Sequence, residues 1–152
     1  MRIMVIDDDA ALAWCLKEIF TKAGHECVVF LEAREGVAEA KLSHFDVIFT
    51  DFRMPDLDGI QVLASIRSTD PQAKVIIMTG YADLDNAIAA VNNGACAYFR
   101  KPFDMRKVME MLNNLEKSIV GARAEKELGS ELAKLCLEYM EIEEMMSLKN
   151  KT

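Results

Sequence analysis

Val47-Ile48-Phe49-Thr50-Asp51-Phe52-Arg53-Met54-Pro55-Asp56-Leu57-Asp58-Gly59 is an apolar run that stops at a carboxylate. Val47 to Phe49 is β-branched and aromatic with no polar alternation, the pattern of a strand covered on both faces of a parallel sheet. Pro55 disfavours helical backbone at Met54, and Asp58-Gly59 opens a turn into the helical spacing of Ile60, Val62, Leu63 and Ile66. Asp51 is thereby predicted at the carboxyl end of a strand, the edge of an open α/β sheet where ligands bind.

The same arrangement recurs on both sides. Ile3 to Ile6 is a second apolar run that ends in acid, Asp7-Asp8-Asp9. Asp9 is the predicted N-cap of a helix through Leu12, Leu16, Ile19, Phe20 and Ala23, which Gly24 stops. Cys27 to Phe30 reads as the second strand, Ala33 to Leu42 as the second helix, and Asp46 starts the third strand. Beyond the third helix and the Ser68-Thr69-Asp70-Pro71 loop, Lys74 to Thr79 is a fourth buried strand. Leu84 to Asn93 is a helix poor in large apolar residues, closed by Gly94. Ala95 to Phe99 is the fifth strand, and Asp104 is placed to cap a fifth helix through Val108, Leu112, Leu115 and Ile119. Strict βα alternation predicts a doubly wound parallel sheet with right-handed crossovers.

Composition removes several classes of function. With 152 residues, 51% of them hydrophobic, the chain can bury a real core. A net charge of -7 and no basic stripe argue against direct nucleic-acid binding, and there is neither a phosphate-binding G-x-x-x-x-G-K-[ST] loop nor a helix-turn-helix pattern. No apolar run approaches the ~18 residues of a membrane span, so a cytoplasmic location without membrane contact is expected. Cys15, Cys27, Cys96 and Cys136 form no C-x-x-C pair and have no histidine at ligand spacing. They read as small hydrophobes in a reducing compartment. Trp14, among the apolar positions of the first helix, is expected to be core or partly buried.

Asp7 and Asp8 after the first strand, Asp51 after the third, Thr79 after the fourth and Lys101 after the fifth fall on one sheet edge. Three carboxylates gathered there repel one another, so at least one resists ionising unless a cation sits among them. All-oxygen ligation suits magnesium (Mg2+). With a metal and the Lys101 ammonium present, Asp51 can act as a nucleophile toward a phosphoryl group, and Thr79 can donate its hydroxyl to a phosphoryl oxygen. His25 and His44 are expected away from this edge.

The stretches Val5-Ile6-Asp7-Asp8-Asp9, Thr50 to Gly59, Val75 to Asp83 and Ala97-Tyr98-Phe99-Arg100-Lys101-Pro102-Phe103-Asp104 together resemble a response-regulator receiver domain of the CheY-like fold, nearest to receivers of the sigma-54 activator type. The resemblance covers residues 1 to about 120 and implies the strand order 2-1-3-4-5. It further implies a two-component response regulator that takes a phosphoryl group on Asp51 from a histidine kinase or a histidine phosphotransfer protein, assisting its own phosphorylation and dephosphorylation without being an enzyme in the ordinary sense. Asp8 would hold magnesium directly, Asp7 directly or through water, and the Arg53 backbone carbonyl would complete the site with Asp51. Thr79 and Tyr98 would be the switch pair, Arg53 and Tyr81 would tune dephosphorylation, and Lys101-Pro102 would be cis. The output face, and a route to self-association, would be the fourth helix, fifth strand and fifth helix. One rival is a haloacid-dehalogenase-like phosphatase with Asp7-x-Asp9 as its motif. Against it, Ala11 stands where that family expects Thr or Val, and Asp51 would be idle.

Residues 121–152 form a separate tail. Leu128, Leu132, Leu135, Tyr139, Ile142 and Met146 alternate steps of four and three, the seam of a short coiled coil. A parallel pair would set Glu138 against the partner copy's Glu143, which is repulsive. The tail is expected to be a dimerising continuation of the fifth helix, a docked amphipathic helix, or a linker; the polar ending Lys149-Asn150-Lys151-Thr152 favours a stand-alone receiver.

Overall fold

The structure is a computed structural model and describes residues 1–80 and 84–149, with side chains described for 1–80 and 85–138. In chain order the elements are β1 (Arg2–Ile6), α1 (Ala10–Lys22), β2 (Glu26–Phe30), α2 (Ala33–Leu42), β3 (Val47–Asp51), α3 (Gly59–Thr69), β4 (Lys74–Thr79), α4 (Leu84–Asn92), β5 (Ala97–Arg100) and α5 (Met105–Lys149). The five strands are all parallel in the order β2-β1-β3-β4-β5, as the resemblance implied. Two compact units make up the chain, Met1–Met105 and Arg106–Thr152, and α5 runs unbroken through Gly121.

Within the first unit, period-two alternation assigns each strand residue to a face. Met4, Ile6, Ile48, Val75 and Ile77 point one way and pack with Ala33 and Val37 of α2, Val62, Leu63 and Ile66 of α3, and Ala90 of α4. Ile3, Val5, Val47, Phe49, Ile76 and Met78 point the other way, also buried, and Phe49 stacks on Phe20 of α1 with ring centroids 5.1 Å apart. Helices on both faces explain why these strands read as continuous apolar runs. Gly36 lets α2 settle on β1, because a Cβ there would lie 2.6 Å from Ile6 Cδ1.

Local signals behaved as their chemistry requires. The Asp9 carboxylate accepts from Leu12 N at 3.1 Å and starts α1. Gly24 (φ 90°) and Gly94 (φ 82°) end α1 and α4 in Schellman turns, with His25 N donating to Phe20 O and Ala95 N to Ala90 O. Since Ala95 is used to close α4, β5 starts at Ala97 rather than Ala95 and extends to Arg100. Similarly β3 reaches Asp51 itself, paired with Met78. The cysteine reading holds for Cys27 alone: its thiol is buried and pushed up to about 11 by desolvation, whereas Cys15, Cys96 and Cys136 are exposed. Trp14 is half exposed, with the Lys17 ammonium 5.1 Å from its ring centroid. Among the described residues no helix is long and apolar enough to cross a membrane.

Candidate functional site

The carboxyl ends of β1, β3 and β5 bring Asp7, Asp51 and Lys101 into direct contact. Lys101 Nζ lies 2.7 Å from Asp7 Oδ2 and 3.1 Å from Asp51 Oδ1, so one ammonium bridges two carboxylates from different strands. The second Asp7 oxygen accepts from Asp9 N at 2.9 Å, and Asp7 is completely buried. Asp8 is exposed, and one carboxylate oxygen from each of Asp7, Asp8 and Asp51 falls within a 4.8 Å cluster. This all-oxygen donor set is the chemistry that hard divalent cations select.

Burial is the main reason the Asp51 carboxyl is held above its ordinary value, and the Asp7 charge adds to it; Lys101 and the Phe52 N–H act in the opposite sense. The mutual repulsion that the sequence predicts among these acids is thus second to desolvation at Asp51. Desolvation also opposes the Lys101 charge, yet its bonds to Asp7 and Asp51 leave the ammonium above its usual value.

The other expected residues are distributed by strand parity. Thr79, the buried last residue of β4, lies two residues beyond Ile77 on the face of the α2, α3 and α4 core, and its carbonyl accepts from Lys101 N at 2.6 Å. Tyr98, opposite Ile77 in the register, is half-buried against that same core. Asp7, Asp51 and Lys101 follow the parity of Val5, Phe49 and Phe99 on the α1 side. Thr79 and Tyr98 therefore share one face, and the charged group belongs to the other. Arg53 is exposed on the loop after β3, Lys101-Pro102 is cis, and Tyr81 lies outside the described residues. His25 and His44 precede β2 and β3, at the opposite edge of the sheet.

The loop after Asp51 is fixed from three directions. Asp58 and Gln61 form a capping box at the start of α3, with Asp58 Oδ1 accepting from Gln61 N at 2.7 Å and Gln61 Oε1 from Asp58 N at 2.9 Å. Gly59 N donates to Phe52 O at 2.8 Å, and a Cβ at Gly59 would lie 3.0 Å from Asp51 O. Asp56, to which the sequence pattern assigns no role, accepts from Arg34 N at 2.9 Å and Ala33 N at 3.4 Å, capping α2 in place of Glu32. Its only signal was the lack of a capping side chain at Glu32; nothing near Asp56 pointed to a partner 22 residues away.

An acid cluster bridged by a lysine thus lies at the carboxyl ends of the strands of a 2-1-3-4-5 parallel sheet, a flavodoxin-like arrangement in which that edge is where ligands bind. The response regulator receiver domain model matches residues 3–113, and the chain belongs to that family. It is 35% identical over 125 residues to the DNA-binding transcriptional regulator NtrC of Proteus hauseri, covering 82% of this chain and 26% of that protein. It is 34% identical over 117 residues to chemotaxis protein CheY of Thermotoga maritima, covering 76% of this chain and 98% of that one. The receiver fold is also that of the response regulator TrrA of Thermotoga maritima, solved in complex with Mg(2+)-BeF, at a TM-score of 0.68 and 26% identity over 75% of this chain and 97% of that one. The chain spans about a quarter of the length of the NtrC relatives it matches.

The chain is a receiver domain of the two-component response-regulator type, a signalling module. The phosphatase alternative has no support in the structure. Both oxygens of Asp7, its would-be nucleophile, are engaged within a fully buried side chain.

Proposed function

We propose that Asp51 is the phosphoacceptor and that a histidine kinase or a phosphotransfer protein is the donor. The bond between the phosphoryl phosphorus and the donor imidazole nitrogen breaks as one from an Asp51 carboxylate oxygen forms, and the freed imidazole takes its proton from solvent. The single observation that carries this reading is the Lys101 bridge between Asp7 and Asp51. It fixes a positive charge where a transferred phosphoryl group would carry its negative charge, at no reorganisation cost during transfer.

Asp7, Asp8 and Asp51, with the Arg53 carbonyl, are the residues that would hold magnesium, which when bound offsets the acid cluster and the charge of phosphoryl oxygens. Thr79 would donate its hydroxyl to the phosphoryl group. Its drawing toward that group would leave room for Tyr98 on the shared face, passing the change to α4 and β5. Two observations support this direction: Thr79 and Tyr98 share strand parity, and α4 has only Ala90 buried among its described side chains. The NtrC relatives support an output in transcription control through a partner or a further domain.

Acetyl phosphate with magnesium, read by intact mass, tests the proposal. Wild type gains one phosphoryl group, and Asp51→Asn gains none. Uptake by Asp51→Asn equal to wild type would overturn the assignment.

A further inference from the structure

The second unit carries a surface that the receiver function leaves unused. Every residue from Val120 to Glu138 is exposed, and Leu128, Leu132 and Leu135 are each more than half exposed. These leucines lie in one line. At ~100° per residue it runs ~190° round the helix from the line of Val108, Leu112, Leu115 and Ile119, on the opposite side of α5. α5 continues unbroken to Lys149, so it cannot turn back to cover its own leucines. In proteins most helical stability comes from packing an apolar face, and Gly121 and Gly129 lower the intrinsic propensity of this stretch.

We infer that the leucine line of α5 packs against the same line of a second copy of this chain, as a parallel two-stranded coiled coil. Steps of four then three keep a helix face turned toward one partner helix along a supercoil, which selects a helix as occupant. On the flanks, Ala124 and Glu131 on one edge meet Gly129 and Cys136 of the partner copy on the other without like charges, and the like-charged pairing on this edge, by sequence position, is Glu138 against Glu143. The contact area sets the strength. From Gly121 to Lys149 the helix is ~43 Å long, and a strip ~10 Å wide along it buries roughly 900 Å² over two copies. That is just under the ~1,000 Å² of a stable interface. With Glu138 and Glu143 opposed by sequence position, the pair is weak and concentration-dependent.

Sedimentation equilibrium on the full chain tests this. Wild type should rise from 17.1 kDa toward twice that mass as concentration increases through about 100 µM. Leu132→Lys should hold at 17.1 kDa throughout, while Leu42→Lys, which removes an exposed leucine of α2, should behave as wild type. Glu138→Lys, which turns the opposed pair into an attractive one, should tighten association several-fold and guards against a variant that merely misfolds. A monomeric wild type, association surviving Leu132→Lys, association lost in Leu42→Lys, or a Glu138→Lys chain that associates no more tightly would each overturn it. Phosphoryl uptake on Asp51, measured on the same samples, reports the receiver reading separately.

Discussion

β3 and β5 are short apolar strands of one sheet, yet β3 is buried at all five of its residues and β5 at none of its four. The difference is position. β3 lies between β1 and β4 under helices on both faces, whereas β5 is an edge strand beside α4, whose Ile88 and Val91 are exposed. Asp7 and Asp51 stand on the rigid side of this contrast and Tyr98 on the soft side, with Thr79 at the seam between β3 and β5. A packed centre holds charges at fixed distances, and a lightly packed flank has small local opening energies, as a moving part requires.

The sharpest break in the comparison is chemical. Lys101→Met removes the charge at the centre and should slow phosphoryl uptake from acetyl phosphate by about 10²-fold. A rate within twofold of wild type would show that the bridge to Asp7 and Asp51 does not serve transfer. Next comes packing. Leu63→Ala at the fully buried centre should cost about 3 kcal/mol in urea unfolding, while Ile88→Ala on α4 should cost under about 1 kcal/mol. Equal costs would erase the contrast.

Asp56→Ala should cost about 1 kcal/mol at neutral pH, the usual worth of a helix cap. The Arg34 N–H foremost holds the Asp56 carboxyl below its ordinary 3.8, so its contribution is present above pH 3.8 and lost as pH falls through the lower folded value. Wild type and variant should therefore converge in acid. An effect of similar size has the opposite sign. The folded value of Asp51 is raised above 3.8, so its contribution is present below pH 3.8 and lost as pH rises through the folded value. Neutralising it with Asp51→Asn should raise the melting temperature in EDTA at pH 7 by about 2–4 °C; a fall would mean that the Lys101 contact outweighs burial.

Much of the rigid centre was legible because its signals are local. Val47 to Phe49 announced a covered strand, Asp9 capped its own helix, and Gly24 and Gly94 ended theirs. The edge was read less well. Ala95 looked like strand, but its N–H closes α4, a choice that depends on Gly94 taking a positive φ. Asp56 escaped notice because a carboxylate that caps a helix 22 residues upstream leaves no periodicity to find. The acid cluster was legible as a set of strand ends. What the sequence could not weigh was burial against repulsion at Asp51, since burial depends on neighbours from every strand. Cys15 and Cys96 were misjudged for the same reason: residue type suggests the interior, and only packing decides it.

Gly59 turns the start of α3 into a gauge with almost no tolerance. With Asp51 O and the Phe52 Cα both 3.0 Å from where a single methyl would stand, alanine at that position must shift the main chain that carries Asp51 by a few tenths of an ångström. The reach of the Asp51 carboxylate to Lys101 is thereby tied to a carbon atom that residue 59 does not have.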